Sequence, residues 1–111
     1  MPKLRDRLLF QARGADENGD PGGGWEDRFS LFAELDYQRG SELAVSNRLE
    51  GRQPVAMTIR DSAQARTITA GFRAIVQGGQ RPGETFNITA VAPARARGFL
   101  HLMGVSGVAS G

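Results

Sequence analysis

The chain has no cysteine and only one lysine, one histidine, one tryptophan and one tyrosine in 111 residues. Without cysteine there is no disulfide framework, no zinc ribbon and no thiol nucleophile. The sole lysine, Lys3, excludes a phosphate loop of the G-x-x-x-x-G-K-[ST] type, because Gly22, Gly23 and Gly24 precede a strand pattern rather than a helix. The sole histidine, His101, lies between Leu100 and Leu102, and Ser106 sits in a glycine-rich stretch that cannot hold a strained nucleophile. Carboxylates such as Glu34 and Asp36 fall on the polar face of a strand pattern, where solvation accounts for them. These absences predict a non-enzymatic protein with no cofactor and no metal centre. No apolar run approaches the roughly 20 residues that span a bilayer. The opening MPKLRDRLLF is charged where a signal peptide needs an apolar core, so a soluble, cytoplasmically made chain with no membrane partner is expected.

Glycine and alternation are abundant instead. Fifteen glycines punctuate runs in which apolar and polar residues alternate with period two, the mark of half-buried strands. Leu4, Leu8, Phe10 and Ala12 share one face of a run over Lys3 to Arg13. In the run from Trp25 to Tyr37, the residues Trp25, Asp27, Phe29, Leu31, Ala33, Leu35 and Tyr37 share a face, with Trp25 as a core anchor. Val55, Met57 and Ile59 form a third set. Ile68, Ala70, Phe72, Ala74 and Val76 form a fourth, Phe86, Ile88, Ala90 and Ala92 a fifth, and Phe99 to Met103 carries the sixth. Six short strands in a chain of this size imply an all-β barrel or sandwich.

Two connections exceed what a hairpin needs. Gly14 to Gly24 is a polar, glycine-rich loop, and Gln38 to Gln53 spans sixteen residues in which Ser41 could cap a short helix ending before Gly51. Gly78 to Gly83 and Pro93 to Gly98 read as turns. The domain is expected to occupy residues 1–104, with 105–111 as a flexible glycine- and serine-rich tail. Asp16, Asn18 and Asp20 imitate a calcium loop, but Pro21 stands where the sharp turn needs glycine and no helices flank it.

Charge is uneven. Residues 1–50 hold seven Lys and Arg against ten Asp and Glu (7 − 10 = −3), and residues 51–111 hold seven against two (7 − 2 = +5). Such asymmetry suggests two faces with different partners, unless the barrel interleaves the two halves. Thirteen of the fourteen basic residues are arginine, whose planar fork suits interfaces and phosphates. Arg39, Arg48 and Arg52 in the long loop, and Arg95 with Arg97, are the clusters of interest.

The order of several short motifs resembles the head-tail joining, or head closure, family of tailed bacteriophages, whose members are often called stoppers. A basic first strand ends in Phe10-Gln11, and Asn18-Gly19 and Gly23-Gly24 lead into Trp25-Glu26-Asp27. Phe32-Ala33, Arg39-Gly40-Ser41-Glu42, Thr58-Ile59-Arg60 and Phe86-Asn87-Ile88 follow, so the likeness covers roughly residues 5–103. The arginine-rich, lysine-poor composition is also similar to the stopper of alphaproteobacterial gene transfer agents. The turn at Gly78 to Gly83 is longer than in the family, and the segment from Gly104 lacks the family's polar ending.

The resemblance implies a small six-stranded β-barrel that assembles at the head–tail interface of a particle as a ring of roughly six or twelve copies. A portal-adaptor ring would lie above it, a tail-terminator ring below, and packaged double-stranded DNA in the channel. It also implies that the loop between the second and third strands gates that channel, which points to Arg39, Gly40, Glu42, Arg48, Gly51 and Arg52. In this reading Gly40 and Gly51 are hinges. Lys3, Arg5, Arg7, Asp16, Asn18 and Asp20 are the candidates for contacts between rings. The competing expectation is a small barrel that binds single-stranded nucleic acid, which would need exposed aromatics among basic residues.

Overall fold

A computed structural model describes residues 3–15, 21–38, 52–78 and 83–106. Six strands, β1 (Asp6–Ala15), β2 (Pro21–Tyr37), β3 (Gln53–Arg60), β4 (Arg73–Gly78), β5 (Thr85–Pro93) and β6 (Phe99–Ser106), close into one barrel. The order around the wall is β1-β2-β3-β6-β5-β4, with β4 returning to pair with β1, and every pairing is antiparallel. Closure removes the exposed edges that a sandwich of these strands would have to protect.

The alternation read from the sequence fills the interior. Leu8, Phe10, Ala33, Val55, Met57, Ile59, Phe86 and Leu102 are fully buried, and a barrel of this size is packed solid by such side chains. One end is stoppered by the segment between β3 and β4, which crosses over instead of forming a hairpin. Ser62 Oγ accepts the Ala65 N–H at 3.0 Å, a 3₁₀ turn follows over Ala65–Thr67, and Ala65 and Ile68 point into the core. The strand expected to begin near Ile68 therefore begins only at Arg73, because the residues before it cap the barrel end rather than join its wall. Asp61 fixes the crossover: its N–H donates to Gly98 O at 2.9 Å, and its carboxylate accepts two hydrogen bonds from Arg66, at 2.9 and 3.0 Å. Those bonds hold the Asp61 carboxyl below the usual carboxylate range.

Two β-bulges change which residues face inward. Phe10 pairs with Phe29 but Gln11 pairs with Asp27, so Arg28 is an extra residue and the β2 side chains before it switch faces. Trp25 and Asp27, expected in the core with Phe29, consequently lie beside Arg13 and Gln11 on the outside of the wall. In β5, Ile88 pairs with Gly104 and Ala90 with Met103, which makes Thr89 the extra residue and turns Ala90 and Ala92 outward. The glycine-rich stretch from Gly14 to Gly24 is also mostly strand, since β1 reaches Ala15 and β2 starts at Pro21. At the other end β6 continues through Gly104 and Ser106, both buried, three residues past its expected limit.

Candidate assembly surfaces

Antiparallel pairing sorts the connections onto two rims. The start of β1, the ends of β2, β4 and β6, and the starts of β3 and β5 share one rim. The β1–β2 hairpin, the crossover and the β5–β6 turn share the other. Lys3, Arg5 and Arg52 therefore lie on the rim that carries both ends of the long loop, with exposed Arg7 at the adjoining end of β1. The candidates Asp16, Asn18 and Asp20, in the β1–β2 connection, fall outside the described residues, as do Arg39, Gly40, Glu42, Arg48 and Gly51.

The base of the long loop is held by side chains that sequence patterning did not single out. Gln38 N–H donates to Pro54 O at 3.1 Å, and Gln53 Nε2 donates to Gln38 O at 3.0 Å and to Pro54 O at 2.9 Å. Ser106 Oγ completes the clasp by donating to Gln53 O at 3.4 Å. On the same rim Lys3 N–H donates to Glu34 Oε2 at 2.8 Å, which ties the N-terminal segment to β2. Whatever residues 39–51 do, they depart from a fixed platform. Glutamine carries no periodic signal, so only pairing geometry reveals this arrangement.

The outer wall holds a second constellation. The Arg13 and Arg73 guanidinium carbons stand 4.6 and 4.3 Å from the Trp25 ring centroid. Gln11 links the layers, accepting from Arg73 Nε at 2.6 Å and donating to Asp27 Oδ1 at 2.6 Å. Burial, and then the nearby Arg13, lower the Arg73 pKa. Trp25 is thus a cation-stacked ring on the outside of the barrel rather than a core anchor.

The wall also settles the distribution of charge. Strands β1 and β2 adjoin one another, and β3, β6, β5 and β4 form the rest of the circuit, so the two halves of the sequence do not interleave. Strands β3 to β6 contain no Asp or Glu, whereas β2 carries Glu26, Asp27, Glu34 and Asp36. Among the described residues no cluster of His, Cys, Asp and Glu could hold a metal ion, and no helix is long and apolar enough to cross a membrane.

Comparison with known proteins gives this barrel a family. The phage head completion protein family matches residues 1–106. The chain belongs to that family. Membership places it among the structural proteins of the head–tail region of phage particles. Its fold is shared with the solution structure of a protein from Shigella flexneri 2a, at 29% identity and a TM-score of 0.70 over 97% of this chain and 96% of that one. It is shared too with a chain from the virion of a native gene transfer agent particle, at 21% identity and a TM-score of 0.65 over 97% and 98%. No curated protein matches the chain.

Proposed function

We propose that this head completion protein is a ring-forming stopper. Several copies close the DNA channel below the portal and its adaptor and offer the opposite side of the ring to the tail terminator. The observation that carries the reading is the long connection 39–51, clasped at its base by Gln38, Gln53 and Ser106 on one rim of a barrel whose family completes phage heads. Because the barrel interior is packed, DNA has to pass between copies rather than through one. Loops that converge from several copies can narrow such a passage, and hinge motion about Gly40 and Gly51 can widen it. Arg39, Arg48 and Arg52 would meet DNA phosphates or neighbouring loops by charge. The role is mechanical, with no catalysis and no cofactor. A gene transfer agent is the narrower form of this reading, supported by the arginine-rich composition and by the fold shared with a chain of such a particle.

Deleting residues 42–50 while keeping Gln38 and Gln53 tests the gate. The expected particles have tails but leak DNA or eject it abnormally; particles that retain and eject DNA normally would contradict the assignment. The single-stranded nucleic-acid reading draws support from the carboxylate-free strands β3 to β6 alone. It lacks the stacking platform, since Phe86 and Phe99 are buried in the wall and Phe32, on the other half, is the exposed aromatic among the described residues.

A further inference from the structure

Phe32 is 56% exposed on the outer face of β2, across from Arg7 of β1. Glu34 and Asp36 follow it on the same face, so an aromatic ring and two carboxylates line one strip of the wall. A groove of about 420 Å³ runs across β3, β6, β5 and the turn after β5, lined among others by Thr58, Ala92, Pro93, Arg95 and His101. The groove is open to solvent and wide enough for one phenyl ring. The order of the wall sets β2 and β5 three strands apart, so the Ala92 side of the groove is its part farthest around the wall from Phe32, while its Thr58 side adjoins β2. A single paired row joins them, from Glu34 through Thr58 and His101 to Ala92.

Ring and groove differ in kind. Large exposed apolar side chains on an otherwise well-packed wall mark contact surfaces, and aromatic anchors that enter pockets dominate association. The groove is lined by small apolar residues and by Arg95 and His101, with no carboxylate on β3, β5, β6 or the turn 94–98. The Phe32 strip supplies Glu34 and Asp36. Two different, complementary patches on one molecule form a heterologous contact, which propagates from copy to copy and closes a ring when the rotation allows it.

We propose that Phe32 of one copy seats in the Ala92–His101 groove of the next, as the lateral contact of the ring. The inference rests on the ring reading above and assigns that ring its side-to-side interface. Truncation of a seated aromatic anchor weakens association by roughly tenfold or more, so Phe32→Ala should lower ring occupancy in particles while leaving the barrel folded.

The chain has no native cysteine, which makes thiol cross-linking free of background. Particles are purified from cells that make the full chain with Phe32→Cys and Ala92→Cys together, or with either alone, and are treated with a short bis-maleimide. A ladder of adducts reaching the ring's copy number in the double variant, with none in either single variant, is expected. Particles that contain the double variant and give no ladder would overturn the lateral contact and leave the stopper reading intact. Cross-linking of Phe32→Cys with itself would overturn it in favour of a two-fold contact. A thiol at position 92 that reacts only after nuclease treatment would assign the groove to DNA instead. A chain absent from the particles would overturn the stopper reading and this contact with it.

Discussion

Gly104 lies in β6 between β3 and β5, opposite Val55 on one side and Ile88 on the other. A methyl group at this position would stand 2.8 Å from Met57 Cε, 3.1 Å from Asn87 O and 3.3 Å from Phe86 Cβ. The methionine end can swing aside, but the Asn87 carbonyl belongs to the wall and cannot. Forcing one extra methyl into a packed interior costs about 1–3 kcal/mol. Against this, replacing a strand glycine by alanine recovers about 0.5–1 kcal/mol of backbone entropy. Gly104→Ala should therefore destabilise the barrel by about 1 kcal/mol net, a fall in Tm of roughly 4–8 °C for a domain of this size. Urea and thermal unfolding followed by far-ultraviolet circular dichroism give both quantities. Adding Met57→Leu, which removes the closest of the three contacts, should return part of the loss and show coupling between the two sites. A Gly104→Ala variant as stable as the parent would refute the claim that this wall is packed to the limit. Gly14→Ala is the comparison, because the three atoms nearest its methyl all belong to the Glu26 side chain, whose end can swing aside.

Other expectations follow from the same geometry. Arg73→Ala removes one of the two guanidiniums over Trp25, which should cost about 0.5–2 kcal/mol and shift the emission of the lone tryptophan to the red; unchanged emission would contradict the stacking. Gln53→Ala unclasps the long loop, and faster hydrogen exchange at the Gln38 amide is the readout, with unaltered exchange counting against the clasp. Arg66→Ala should raise the Asp61 pKa toward its ordinary value in an NMR titration. With the Asp61 pKa depressed in the folded state, the stabilisation from this pair is complete above the unfolded-state pKa and lost as pH falls through the folded-state one. A midpoint that does not move on mutation would remove Arg66 as the cause.

Much of the interior was legible in the chain, because period-two alternation reports the face of a strand directly. Leu8 with Phe10, Val55 with Met57 and Ile59, and Phe86 with Ile88 all face inward as their spacing requires. Alternation fails where one residue is added. The bulges at Arg28 and Thr89 break the alternation, and neither position bears a glycine or any other local mark. This is why Trp25 and Ala92 lie outside. Barrel and sandwich were likewise indistinguishable in the chain, since the deciding pair, β1 with β4, joins residues more than sixty positions apart. The crossover at Ile68 misled for a related reason: an apolar residue that plugs a barrel end carries the same signature as one that faces inward from a strand. The loop between β2 and β3 stood out by its length and charge alone. Its clasp depends on Gln38, Gln53 and Ser106, residue types with no periodic signal, and the relation of Phe32 to the Ala92–His101 groove becomes visible only once the wall is assembled.

The central claim is that the chain closes the head and joins it to the tail. Electron microscopy of particles from cells that lack its gene tests this most directly, by counting DNA-filled heads, empty heads and free tails. Heads that have lost their DNA beside separate, complete tails are predicted. Intact, DNA-filled, tailed particles would contradict the claim.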